Sequence, residues 1–376
     1  MATAHVQVGT EPASRRIASL DQFRGYTVVG MLLVNFLGSY DWVSRNLPVL
    51  DHHNTYCSYA DTIMPQFFFA VGYAYRLTLL KRLRREGRRS AYGHVASRSM
   101  GLMLIGFIVY HLDGGVKSWE ELKGLGLPGF FETAFQRSWF QTLTHIALAS
   151  LWIMPVIAAG TAARLAFAAG SAALHLWLSD LFFFDWAMGR PVIDGGQLAF
   201  LSWTTPMILG SVAYDLMASR GPRGSLAPLL GWALVLMAAG YGLSCLGGAE
   251  ASDGSPRPGW AAPPFFPPGI EPNLWTMSQR AGTVSYLTFA AGFSAAIFAL
   301  FVLLCDLGPI RLGIFRTFGR NALAAYVLHP LVNSAVTPYV PRDAPGWYAA
   351  AGFGVAFAIT YLLVRHLEKN QIYLKL

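Results

Sequence analysis

The sequence predicts an all-α fold, a polytopic bundle of about ten or eleven transmembrane helices. Three observations predict it. Of the 376 residues, 54% are hydrophobic and only 13% charged, whereas a soluble domain carries about 25% charged residues. The mean hydropathy is +0.41, which suits a chain whose main solvent is lipid. Apolar runs near the ~20 residues that cross a bilayer recur from one end to the other. No internal repeat is evident among them, so residues 1–376 read as a single domain.

Taken in order, the expected spans lie at 22–41, 60–80, 96–112, 139–158, 163–184, 197–217, 226–247, 283–305, 314–334 and 346–366. An eleventh segment, re-entrant or amphipathic, is expected in 119–137 or 260–282. Residues 1–18 form a polar tail with no cleavable signal, since the first apolar run is already long enough to span. Charge gives the orientation. A net charge of +8 would suggest nucleic acid as the partner of a soluble protein. Here the cations gather in alternate loops, so orientation accounts for them and no nucleic-acid partner is expected. With the N-terminus inside, most of the 28 Lys and Arg residues, including the run Lys81–Arg89, fall in inside loops, as the positive-inside rule requires. Ten spans then leave both termini in the cytoplasm of a multi-pass protein of the bacterial inner membrane. The outside loops are longer, and the one at 248–282 is rich in proline. Proline opposes helix and favours extended backbone, so this loop reads as a tether or a lid. Cys57, Cys245 and Cys305 lie far apart without zinc spacing, and neither a disulfide framework nor a metal is expected.

Ionisable groups inside spans are costly and point to function. In the first span Ser19 looks like a helix cap, and Asp21 and Arg24, three residues apart, share a face and can pair. Asn35 follows Arg24 by eleven residues, three helical turns, so all three project to one side. The next loop, Asp51-His52-His53-Asn54-Thr55-Tyr56-Cys57-Ser58, is the densest polar cluster outside the basic run. A histidine there titrates near neutral pH and suits proton abstraction. Adjacent residues on an extended chain point apart, so His52 and His53 face different neighbours. Asp61 opens the second span and is placed either to orient an imidazole or to cap the helix. In the ninth span Tyr326 and His329 are neighbours on one face, with Asn321 a layer away. The run Lys81–Arg89 reads as a topology signal in contact with anionic lipid, or as a landing patch for a phosphorylated donor such as coenzyme A.

Together these fragments resemble the heparan-α-glucosaminide N-acetyltransferase family within the transmembrane acyltransferases. The resemblance rests on Arg16-x-x-Ser19-Leu20-Asp21-x-Phe23-Arg24-Gly25, on Met31-x-x-Val34-Asn35-x-x-Gly38, and on Ala60-Asp61-x-x-x-Pro65-x-Phe67-x-Phe69-x-x-Gly72. Two later pieces agree, Asn273-Leu274-Trp275-Thr276-x-Ser278 and Gly319-x-Asn321-x-x-x-x-Tyr326-x-x-His329. The resemblance implies transfer of an acetyl group from cytosolic acetyl-CoA to an amino sugar or glycan on the periplasmic side. It implies His52 or His53 as the base, Asn35 as the group that stabilises the oxyanion, and Asp61 as the group that holds the histidine tautomer. Asp21, Arg24, Asn273, Trp275, Asn321, Tyr326 and His329 are expected around the substrates. The lipid bilayer is the expected surrounding, and a homodimer is left open. Two other readings share the same polar face: O-acetylation of a surface polysaccharide, and a glycolipid or sugar carrier without catalysis.

Overall fold

The computed structural model describes residues 17–110, 118–133, 139–247 and 271–374. Residues 1–16 of the expected tail and 248–270 of the proline-rich loop lie outside the described residues. Among the described residues the regular structure is entirely helical. Each of the ten expected spans is helical along most of its length.

The first helix, α1 (Ala18–Leu37), begins one residue before Ser19. Ser19 is therefore not the cap; it lies inside the first turn, and its backbone N–H donates to Asp306 Oδ1 at 3.2 Å. A short α2 (Asp41–Asn46) leads into the histidine loop. The run Lys81–Arg89 is not a loop. Helix α3 (Tyr59–Arg85) continues to Arg85 and α4 (Arg88–Tyr110) starts at Arg88. Only Glu86 and Gly87 make the reversal, with Gly87 at φ 83°. Cations in the last turn of α3 complement the helix dipole, which extends the helix past the end of its apolar stretch.

The amphipathic segment expected near 119–137 is α5 (Trp119–Thr133), broken at Gly126 ahead of Pro128. Then come α6 (Thr142–Trp152), α7 (Thr161–Leu178), and α8 (Phe184–Met188), which α7 reaches through a π turn. After them stand α9 (Phe200–Ser244), α10 (Val284–Phe301), α11 (Gly313–Arg320), α12 (Ala322–Val336) and α13 (Gly346–Lys369).

Five stretches are long and apolar enough to cross a membrane: Arg88–Tyr110, Thr161–Met188, Phe200–Ser244, Val284–Leu307 and Gly346–Lys369. The third is two spans. Gly221 adopts φ 66°, outside the helical region. Trp203 packs on Tyr286, and Gly240 lies against Phe289. Both ends of α9 thus meet the N-terminal half of α10, which requires the chain to reverse at Gly221. Of the remaining expected spans, α6 and α12 are apolar but short, with 11 and 15 residues, whereas α1 and α3 carry more polar residues. Helices α1, α3, α6 and α12, together with α4, line the cavities, where polar side chains are kept from lipid.

Small residues set the closest crossings, as in membrane bundles generally. A Cβ on Gly72 would fall on the Met207 carbonyl, and one on Gly210 on the Phe69 carbonyl, which fixes α3 against the first half of α9. Gly25 and Gly319 do the same for α1 and α11. A buried charge cluster ties the end of α3 to α7 and α9. Arg76 Nε donates to Asp215 Oδ1 at 3.1 Å and its Nη1 to the Ile157 carbonyl at 2.5 Å, while Arg164 closes on the same carboxylate.

Candidate active site

The histidine loop is held from both sides. Ser58 caps α3: its Oγ accepts from the Asp61 backbone N–H at 3.2 Å, while Asp61 Oδ2 accepts from the Ser58 backbone N–H at 3.0 Å. This reciprocal capping box leaves Asp61 Oδ1 free for another donor. His52 supplies it, with Nδ1 donating at 2.8 Å. Asp61 therefore performs both expected duties, cap and imidazole holder. With Nδ1 carrying the proton, Nε2 of His52 is left as the basic nitrogen. The carboxylate is 1% exposed and the imidazole side chain 47% exposed, so the dyad is anchored in the bundle and open to a reactant. Burial in its recess draws the His52 pKa down, but the hydrogen bond and charge of Asp61, with the charges of Asp194 and Asp51, outweigh it and leave it above the ordinary imidazole value.

His53 turns the other way, as the alternation of an extended chain dictates. Its Nε2 donates to the Pro48 carbonyl at 2.8 Å, and its ring stacks on Tyr56 with centroids 4.4 Å apart. A donating Nε2 leaves Nδ1 as the acceptor nitrogen of that ring.

Asn35 stands near the far end of α1 and donates from Nδ2 to His329 Nε2 at 3.2 Å. His329 Nδ1 donates to the Tyr326 carbonyl at 2.7 Å, which fixes that ring as the neutral Nδ1–H tautomer. Tyr326 Oη shares a hydrogen bond with Tyr110 Oη at 2.7 Å.

Two internal cavities organise these groups. One of 200 Å³ is lined by Asn35, His52 and Tyr326 together with Gln141, Thr142, Asp194 and Gln279. A vestibule of 380 Å³ adjoins it, lined by His52, His53, Asn54, Ile193, Gln279 and Arg280. At the opposite end of the bundle lies a cavity of 340 Å³ with Arg24, Arg82, Arg98, Arg320 and His94 in its walls. The basic and histidine cavities are divided by about one helical turn. Val71 lines the first and Phe67 the second; Leu323 lines the first and Tyr326 the second. A four-residue step along a helix is ~6 Å.

The expected site residues are therefore sorted by the fold. His52, Asn35, Asp61, Tyr326 and His329 gather around the histidine cavity. Arg24 shares their face of α1 but lies in the basic cavity, and it closes no ion pair with Asp21 among the described residues. Asn321 is spent on the C-terminal segment: Nδ2 donates to the Ile372 carbonyl at 2.8 Å and Oδ1 accepts from the Leu374 N–H at 3.2 Å. Asn273 and Trp275 line neither cavity. Asn273 Oδ1 accepts from the Trp275 and Thr276 N–H groups. That turn sets Thr276 and Ser278 against Asn54, at 3.1 and 3.0 Å, and so buttresses the histidine loop.

Sequence reasoning missed Asp194, Gln279 and the pair Arg98–His94. Asp194 had a signal, an acidic residue before Gly195-Gly196 in a loop between two spans, where both glycines take positive φ. Gln279 had none, since its place depends on the fold of a distant segment.

A family profile for the catalytic region of heparan-alpha-glucosaminide N-acetyltransferase matches residues 16–244, more than half of the chain. The chain belongs to this family. It is a multi-pass membrane protein and a transferase of the acyl-transfer kind. A search of curated proteins finds no significant match. The profile covers Asn35, His52, Asp61 and Asp194, whereas Gln279, Tyr326 and His329 come from the part of the chain beyond it.

Proposed function

We propose that the protein transfers an acetyl group from cytosolic acetyl-CoA to an amino sugar or glycan presented on the periplasmic side. The observation that carries this reading is that Asn35 and His52, the latter hydrogen-bonded to Asp61, line one cavity only about a helical turn from a cavity walled by four arginines. Arg24, Arg82, Arg98 and Arg320 suit the phosphates of coenzyme A, because guanidinium groups match phosphate oxygens in charge and geometry. The thioester then crosses the dividing turn and presents its carbonyl to Asn35.

The roles follow from the hydrogen bonds. His52 Nε2 takes the proton of the acceptor, with Nδ1–H held by Asp61. Asn35 Nδ2 carries two N–H bonds; one is given to His329, and the other is available to the developing oxyanion. His329 orients that amide and does not itself abstract a proton.

Reconstituted protein in vesicles, supplied with acetyl-CoA on one face and glucosamine on the other, tests the assignment. His52→Ala lowers turnover by ~10²–10⁴, the usual worth of a general base, while His53→Ala keeps most of it. Arg98→Ala raises KM for acetyl-CoA by about tenfold, as loss of one charged hydrogen bond implies, with turnover at saturation kept. Equal activity in the His52 and His53 variants would sink the base assignment. A base-stable product is an amide, and a base-labile one an ester.

A further inference from the structure

On that reading the identity of the acceptor group can be taken further. We infer that Asp194 and Gln279 form the subsite that binds the acceptor amine in its protonated, ammonium form, facing His52.

The argument is an inventory of donors and acceptors. Asp194 is 5% exposed and lines the histidine cavity. Its place is fixed by backbone contacts: its carbonyl accepts from Trp203 Nε1 at 3.0 Å, and the next two residues, Gly195 and Gly196, hold φ values of 84° and 60°. Gln279 is 7% exposed and lines both that cavity and the vestibule. Its Nε2 donates to Asp194 Oδ1 at 2.9 Å. A carboxylate only accepts, so the orientation of the amide is settled and Oε1 is turned away from Asp194. That oxygen is buried and has no hydrogen-bond partner. A buried acceptor left unmade costs about 1–3 kcal/mol, and the residue that carries it lines the cavity.

Three acceptors thus belong to residues of this cavity, the Asp194 carboxylate, the Gln279 amide oxygen and the basic ring nitrogen of His52, beside the donors of Asn35, Gln141 and Thr142. An ammonium brings three N–H donors and a positive charge to them. A hydroxyl brings a single O–H and no charge. The charge of Asp194 also reaches His52, contributing to its raised pKa.

The chemistry balances. The acceptor arrives as R–NH3+ and loses one proton to His52 Nε2. The freed nitrogen lone pair attacks the thioester carbonyl carbon, the C–S bond breaks, and the sulfur leaves as a thiolate that takes the proton back from His52. The second proton lost by nitrogen passes to water in the vestibule. Each amide formed releases one proton, whereas an ester would release none.

The test is KM for glucosamine as a function of pH in vesicles of the full-length protein. The ionisable groups near the subsite are Asp51, His52 and His53 of the loop, Asp61 of α3, Arg280 beside Gln279, Tyr110 of α4, Tyr286 of α10, and Tyr326 and His329 of α12. KM for the amine separates its binding from the change in His52 basicity that accompanies loss of Asp194. Asp194→Asn keeps the Gln279 contact. It raises KM for glucosamine by about tenfold where the amine is charged, and the difference disappears where the amine is neutral. KM for acetyl-CoA stays the same. The exchange D194N with Q279E, which moves the carboxylate across the pair, restores low KM at acidic pH. A pH-independent effect, or no rescue by the exchange, would overturn the subsite. A wild-type protein that acylates only hydroxyls overturns the subsite alone, and one that binds acetyl-CoA but acylates neither amine nor hydroxyl overturns the parent reading as well.

Discussion

One carboxylate, Asp61, does two things at once because its two oxygens point to different partners. Oδ2 closes the capping box with Ser58 and Oδ1 holds His52. Removing the charge while keeping the shape separates the two. Asp61→Asn takes away the hydrogen bond and charge that hold the His52 pKa up. A general base works when neutral, so the acid limb of the kcat/KM profile lies above the unperturbed imidazole value of about 6.5. It moves to lower pH in the variant, while turnover falls because the tautomer is no longer held. A limb that stays in place would show that some other group titrates. At this scale much was legible in the sequence. Asn35, Asp61 and the pair His52–His53 stand out as polar residues in apolar surroundings. The choice between the histidines was not legible, because it depends on Pro48 folding back to accept from His53.

Helices in this bundle meet through glycine contacts and through a few buried charges, and the two devices respond differently to change. The cluster Arg76–Asp215–Arg164 joins α3, α7 and α9, with both guanidinium groups at most 9% exposed. Asp215→Asn leaves two buried cations without their counter-charge, at a cost of about 3 kcal/mol or more. A clear drop in the thermal midpoint in detergent, with KM for acetyl-CoA unchanged in the surviving protein, is the expected result. The sequence announced the helices well because apolar length is a local property. It misplaced the turn between α3 and α4, where the dipole carries helix into a basic stretch that hydropathy reads as loop. It also could not show that the long segment Phe200–Ser244 doubles back at Gly221, which depends on the docking of both halves against α10.

The molecule as a whole is sorted radially. Outer stretches are apolar and little buried: of the most apolar window in Phe200–Ser244 only 17% is buried, against 61% in Val284–Leu307. The cavity-lining helices carry the polar groups. That arrangement explains why composition alone predicted a membrane bundle and why polar residues stand out in α1 and the loop after it. It also explains why the basic cavity was seen only in outline, since Arg24, Arg98 and Arg320 come from three separate helices. The bundle is hollowed from both ends, and Phe67, Val71, Leu323 and Tyr326 stand in the layer between the hollows. Where lipid has been replaced by side chains, those side chains inherit the work of electrical insulation. Phe67→Ala should therefore make vesicles leak protons, which a pH-sensitive dye trapped inside reads directly; vesicles that stay tight would show the barrier to be thicker. Such an enzyme cannot widen its passage for a bulkier acyl chain without discharging the membrane it sits in.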